Sequence, residues 1–206
     1  MSFLPTSKRG STRRNMLVSA AELMRERGTA GVTIDGVLTR SKAPRGSVYY
    51  HFPGGRNQIL AEALRYAGDA ITLRIDNATG DGARSLMAKF VDFWDQVLAD
   101  SDFTAGCPVV AAATASTDDE PQLTAVAGEI FSRWHAAMSR AFERDGFDPA
   151  GAQSLATMCI ASLEGAVVLC RATRSSTPLR EVASNVEFLI KAKEFVLRNG
   201  VPATNR

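Results

Sequence analysis

Apolar positions recur at helical spacing along nearly the whole chain. Leu17, Ala20, Ala21 and Met24 fall at offsets of 0, 3, 4 and 7, one stripe that predicts a helix over residues 12–27. Gly28 then stops it, because glycine readily takes the left-handed conformation used past helix ends. Thr33 caps a second, short helix with Asp35 in its first turn and Val37 and Leu38 on its apolar side. A third short helix is predicted to begin at Pro44, whose fixed φ and missing N–H suit a first helical turn, and to end before Pro53-Gly54-Gly55. A fourth, over residues 56–77, carries Leu60, Ala63, Leu64, Ala67 and Ile71 on one side.

The loop Thr79-Gly80-Asp81-Gly82 marks the next break. Residues 83–100 follow, doubly striped by Leu86, Phe90, Phe93 and Val97 and by Met87, Val91, Trp94 and Leu98, as in a helix covered on more than one side. Gly106-Cys107-Pro108 opens a short Ala-rich segment to residue 115. Glu120-Pro121 opens a long helix to residue 144, striped by Leu123, Val126, Ile130, Trp134, Met138 and Ala141. Gly146-Phe147-Asp148-Pro149 restarts the chain as an unusually small and apolar helix over 150–173, and a last helix runs over 178–198. No strand pair and no internal repeat is visible. The expected fold is all-α, with residues 1–11 as an N-terminal arm, 12–56 and 57–198 as two domains, and 199–206 as a frayed tail.

Composition narrows the classes. The 206 residues are 45% apolar and 22% charged, the balance of a soluble globular protein. No run approaches the ~18 uninterrupted apolar residues that spanning a bilayer requires, so no membrane partner is expected. The first residues do not read as a secretory signal. Cys107, Cys159 and Cys170 are an odd number without CxxC spacing, which fits a reducing cytoplasm rather than a disulfide scaffold. Charge is unevenly spread. Residues 1–65 hold eleven Lys/Arg against four acids, whereas the other 141 hold 13 basic against 18 acidic side chains. A basic N-terminal third on an acidic body points to a polyanion partner for that third.

Two short helices four or five residues apart, the second followed at once by a tight break, have the dimensions of a helix-turn-helix. The run Ala43-Pro44-Arg45-Gly46-Ser47-Val48-Tyr49-Tyr50-His51-Phe52 suits DNA contact. It has small residues where backbone must approach a groove, then a guanidinium, a hydroxyl, two phenols and an imidazole that donate to phosphates or base edges. Val48 and Phe52, four apart, are placed to face inward and dock the helix.

Residues 12–65 resemble the DNA-binding domain of TetR-family transcriptional regulators, whose signature ends in a Gly-Thr/Ser-aliphatic-Tyr-x-His/Tyr-Phe run. Here that run is Gly46-Ser47-Val48-Tyr49-Tyr50-His51-Phe52, preceded by Ala20-Ala21, Gly28 and the Thr33-Ile34-Asp35 helix start. The lengthened loop Phe52-Pro53-Gly54-Gly55-Arg56, with Ala43-Pro44-Arg45-Gly46-Ser47 and Gly106-Cys107-Pro108, is similar to the LmrA/YxaF-like branch. Lys42 stands where the family usually has glycine, so either it tolerates a left-handed turn or the turn is remodelled. Gly36 locally weakens the second helix.

The resemblance implies an N-terminal three-helix helix-turn-helix domain on a larger helical domain for ligand binding and dimerisation. Arg45 is the leading base reader, since arginine pairs bidentately with guanine. Ser47 and Tyr50 come next, and Pro44 and Gly46 bring the backbone close. Lys42, Thr33, Tyr49, His51 and Arg56 are assigned to phosphates. Tyr49 packing on the first helix, and His51 as a helix-end cap, stand as competing readings, and a solvated face is preferred for Arg13 and Arg14. The resemblance also implies a homodimer through the last two helices, on a palindromic double-stranded operator.

The acidic body gathers aromatics, Met and Cys with few charges: Phe90, Trp94, Phe103, Cys107, Val110, Phe131, Trp134 and Met138. Such a lining suits a small apolar or aromatic effector anchored by one or two polar groups, for which His135 and Glu164 are the candidates; ordinary core packing is the competing reading. With two histidines far apart, no metal site is expected, and no cofactor loop, nucleophile elbow or catalytic residue is assigned. The expected function is a cytoplasmic, ligand-responsive regulator, most often a repressor in this family. An all-α enzyme and a sequence-tolerant DNA-packaging protein are the alternatives.

Overall fold

Each predicted apolar stripe becomes a buried helix face in the computed structural model, which describes residues 12–78, 80, 82–115 and 120–200. The arm, residues 201–206 of the tail and the acids Asp118 and Asp119 lie outside the described residues. The described residues contain helices and connecting turns but no strand. In chain order the helices are α1 (Thr12–Arg27), α2 (Ile34–Ser41), α3 (Ser47–His51), α4 (Gly55–Ala78), α5 (Ala83–Asp100), α6 (Pro108–Ala113), α7 (Pro121–Arg144), α8 (Pro149–Thr173) and α9 (Thr177–Asn199).

The first three helices form one unit. Gly28 (φ 72°) ends α1 by returning its N–H to the Met24 carbonyl at 2.9 Å. Thr33 caps α2 as expected, its Oγ1 accepting from the Gly36 N–H at 3.0 Å. Lys42 takes the left-handed conformation itself (φ 55°, ψ 32°), and its N–H donates to the Leu38 carbonyl. The turn is therefore not remodelled. It keeps the geometry that glycine would give and sets an exposed ammonium on the corner. One boundary moves: α3 starts at Ser47 rather than Pro44. The Pro44 carbonyl accepts from both the Ser47 N–H (3.0 Å) and its Oγ (2.5 Å), so Arg45 and Gly46 sit in a turn ahead of the helix.

Beyond α3, α4 runs without interruption across the expected boundary at residues 56/57, packing on α1 and on α7. At Gly68 the two long helices nearly touch: a Cβ there would lie 2.6 Å from Ile130 Cδ1. The remaining core is a bundle in which α7 packs on α8, α8 on α9, and α5 on α9. By length and composition α8 could cross a membrane, but Ala152, Ala156, Leu163, Ala166 and Val167 are buried in this bundle. Small side chains there let α7 and α9 approach closely.

Candidate nucleic-acid interface and effector groove

Five residues cannot hold a helix by themselves, so α3 stands on what it docks against. Val48 and Phe52 are both 0% exposed, while Tyr49 and Tyr50 between them are 65% and 82% exposed. One face is thus anchored and the other offered to solvent, and the packing alternative for Tyr49 is not what forms. His51 is half-buried, its ring edge-on to Tyr50 at 4.9 Å. Lys42, Pro44, Arg45, Gly46 and Thr33 are exposed around it, with Ser47 half-buried at the helix start. Arg45 lies 3.5 Å from Asp35, both strongly exposed, so the pair is weak and readily exchanged for another anion.

Arg56 departs from its expected role on phosphate. Its Nε donates to the Val32 carbonyl at 2.7 Å, one terminal nitrogen to the Thr29 carbonyl at 2.8 Å, and the other pairs with the buried Glu120. A guanidinium with three inward partners is a clamp between the loop before α2 and the start of α7. Arg13 likewise pairs with Glu62 and stacks over the Phe52 ring at 5.0 Å, and Arg14 donates to Tyr66 Oη at 3.2 Å. These two brace α1 on α4 rather than forming a solvated face.

A second clamp joins residues far apart in the sequence. The Gly106 N–H donates to the Arg25 carbonyl at 3.0 Å, and Arg25 Nε returns a bond to the Gly106 carbonyl at 3.2 Å. Arg171 of α8 donates from beside it to the carbonyls of Thr104 (2.9 Å) and Glu26 (3.4 Å). A Cβ on Gly106 would meet the end of the Arg171 side chain at 2.8 Å, so any larger residue there would have to move that guanidinium. Burial, the largest influence on Arg25, pulls its guanidinium down to about 10, still protonated at neutral pH. The end of α1 is thus tied to the segment leading into α6.

The ten residues expected around an effector do not form one site. Trp94, Trp134 and Met138 are core, 0–1% exposed, and Trp134 Nε1 donates to Thr72 Oγ1 at 3.0 Å, tying α7 to α4. Phe90 lines a separate cavity of about 310 Å³ with Arg74, Lys89 and Phe93. Phe103, in a left-handed turn (φ 58°), and Val110 of α6 are half-buried elsewhere on the core. Phe131, His135 and Glu164 do converge. With Ser132, Thr157, Ile160 and Ala161 they line an open groove of about 460 Å³ between α7 and α8.

In that groove His135 Nε2 lies 3.0 Å from the Gln153 carbonyl and 3.1 Å from Thr157 Oγ1, so the proton sits on Nε2, facing the carbonyl. Glu164 is 7% exposed, and burial pushes its carboxyl up to about 7. Cys107 lies behind it. Burial raises that thiol first and the adjacent carboxyl second, so it stays protonated. Thr157, Ile160 and Ala161 share a helical stripe with Glu164 (0, 3, 4 and 7), and that spacing is the sequence signal that places them on one face.

Comparison with known proteins gives the family. Residues 16–63 match the bacterial regulatory proteins of the tetR family, and residues 83–185 match the C-terminal domain of LmrA/YxaF-like transcriptional regulators. The HTH-type transcriptional regulator Rv0196 of Mycobacterium tuberculosis is 39% identical over 186 residues, covering 88% of this chain and 95% of that protein. LmrA of Bacillus subtilis, an HTH-type transcriptional regulator, is 30% identical over 186 residues, covering 88% and 98%.

Among solved structures, a TetR regulator from Legionella pneumophila superposes with a TM-score of 0.78 at 19% identity, over 89% of this chain and 99% of that one. The TetR-family regulator CifR, solved as a cysteine mutant with 26-base-pair operator DNA, gives 0.68 at 18%, over 91% and 99%. Those two likenesses are of fold. The fold and the exposed α3 face thus define a helix-turn-helix transcriptional regulator. This chain belongs to the TetR family, in its LmrA/YxaF-like group, a family of DNA-binding regulators rather than of enzymes.

Proposed function

We propose that the chain is a cytoplasmic repressor that binds a palindromic operator as a homodimer and lets go when a small apolar or aromatic molecule fills the α7–α8 groove. The observation that carries the reading is α3 itself, with Val48 and Phe52 sealed inward and Tyr49 and Tyr50 exposed on the opposite side, next to the exposed Arg45 in the turn ahead of it. Arg45 reads base edges together with Ser47 and Tyr50. Lys42, Thr33, Tyr49 and His51 hold phosphates and set the register.

A single α3 covers too little of a groove for operator affinity, so two copies share the load. Phe188 and Phe195, seven residues apart on α9, are 72% and 59% exposed, and Val168 and Leu169 on α8 are 51% and 53% exposed. Such apolar exposure favours association through these two helices. Phe195→Glu is expected to convert the particle to a monomer in sedimentation at micromolar concentration and to weaken operator binding. A dimer indifferent to that change would place the interface elsewhere.

Coupling from groove to DNA follows the contacts. Glu164 faces Cys107, Cys107 follows Gly106, and Gly106 exchanges two hydrogen bonds with Arg25 at the end of α1. A ligand that binds better to a conformer with altered α1 placement lowers operator affinity by its differential affinity for the two states. Selection from random duplex DNA by the purified chain tests the reading and should return a two-fold symmetric site; failure to enrich any sequence would overturn it. On that site Arg45→Ala is expected to cost about 1–3 kcal/mol and to relax selectivity at one position of each half-site. Equal loss on every sequence would make Arg45 a phosphate contact.

A further inference from the structure

Four acids lie among residues 12–65, and three of them brace one helix on another. Glu22 and Glu26 on α1 answer Arg40 of α2, and Glu62 on α4 answers Arg13 of α1. Asp35 is placed differently. It stands in the first turn of α2, 77% exposed, with its Oδ1 3.5 Å from Nη2 of Arg45, itself 87% exposed. An acid in a first turn suits the helix dipole. That accounts for the charge at this end of α2 but not for its partner, which comes from the turn after the left-handed corner at Lys42. A carboxylate on the face turned toward a polyanion is repelled by it, so its place beside the leading base reader calls for a reason.

The reason lies in what Arg45 can meet on a duplex. In open solvent the 3.5 Å contact is an ion pair rather than a close hydrogen bond, and it contributes little. An Arg45 that turns to a phosphate brings that phosphate against Asp35, two negative charges around one guanidinium. An Arg45 that turns to a base edge meets neutral acceptors, such as guanine O6 and N7, and carries no such repulsion. Nη2 has two hydrogens. One facing Asp35 leaves the other, with those of Nη1, for the fork that guanine accepts. As the groove closes and water leaves, the attraction between Asp35 and Arg45 strengthens.

We propose that Asp35 is a positioning residue for sequence recognition, its carboxylate holding the Arg45 guanidinium toward a base edge and away from phosphate. The proposal rests on the reading of α3 and the turn ahead of it as the DNA-facing element, and adds an acid to the groups that set specificity.

The full chain is tested on the two-fold site that it enriches from random duplex DNA, on that site with each position changed in turn, and on a duplex of unrelated sequence. Fluorescence anisotropy of labelled DNA reads the affinities. Asp35→Asn keeps the side-chain shape and removes the charge. It is expected to lower the preference at the position that Arg45→Ala relaxes by about three- to tenfold, with preferences elsewhere in the site unmoved. The unrelated duplex should bind severalfold more tightly, and its slope of log affinity against log salt should steepen by about one unit per half-site, because the released Arg45 takes a phosphate. Asp35→Glu should keep most of the base preference, and the thermal midpoint of both variants should stay that of the unaltered chain. In an Arg45→Ala background Asp35→Asn should no longer change base preference, since nothing remains to be positioned.

Equal tightening on every duplex would make Asp35 a simple repulsive charge and overturn the inference. Preference lost at a position that Arg45→Ala leaves alone would make it a base contact of its own, with the same consequence. Unchanged DNA binding would reduce it to its part in the helix dipole. Each of these results leaves the regulator standing. Failure of the unaltered chain to enrich any site overturns the inference together with the reading of α3.

Discussion

Phe52→Ala is expected to lower the free energy of unfolding by about 3–5 kcal/mol and to abolish operator binding. Phe52 is among the largest fully buried side chains, closes α3 at its C-terminal end, and lies under the Arg13 guanidinium. Its removal leaves a cavity beneath a helix of five residues, which has almost no stability apart from its docking. Urea unfolding measures the loss. Tyr50→Ala is the control, since an exposed phenol should cost within about 0.5 kcal/mol of stability while still weakening DNA binding. If Phe52→Ala unfolds at the urea concentration of the unaltered chain, the docking argument for α3 is wrong.

The second large effect is expected at Arg56→Ala. That change strips the Thr29 and Val32 carbonyls of their donor and strands the Glu120 carboxylate, whose side chain is only 8% exposed. Breaking one partner out of a pair buried on one side costs more than the pair contributes, here about 3 kcal/mol. Adding Glu120→Gln removes the stranded charge and should recover part of the loss, a coupling that a double-mutant cycle reads directly. DNA binding supplies an independent check. Because Arg56 points inward, the slope of log affinity against log salt should stay that of the unaltered chain under conditions where the variant is folded. A slope reduced by about one unit would restore Arg56 to the phosphates.

These two residues also mark how far the sequence could be read. Phe52 was legible because its evidence is local: it lies four from Val48 on a short helix bounded by Pro53-Gly54, and the helical period alone turns both inward. The same holds for the Thr33 cap and for α1 and α5, whose limits follow from glycine breaks and unbroken stripes. Arg56 was misread because its partners, at positions 29, 32 and 120, are distant in sequence and no spacing rule joins them. The clamp of Arg25, Gly106 and Arg171 was invisible for the same reason.

The start of α3 was misplaced because Pro44 suits a first helical turn and a preceding tight turn equally well; the Ser47 bonds to its carbonyl decide between them. The effector residues failed in a third way. Both α7 and α8 carry more than one apolar stripe, and periodicity finds stripes without saying which one faces the core. Trp134 and Met138 went inward, whereas Phe131 and His135, on the neighbouring stripe, line the groove.

Because α4 runs unbroken through 24 residues, it is a rigid rod of roughly 36 Å rather than a hinge between two halves. Held near its middle where Gly68 meets Ile130, such a rod behaves as a lever. A rocking of about 10° around that fulcrum shifts each tip by roughly 3 Å, close to the ~3.4 Å separating neighbouring bases along one strand. In the proposed two-fold particle the opposite tips would swing apart together, so an angular change too small to disturb the core would be enough to put the two α3 helices out of phase with the duplex.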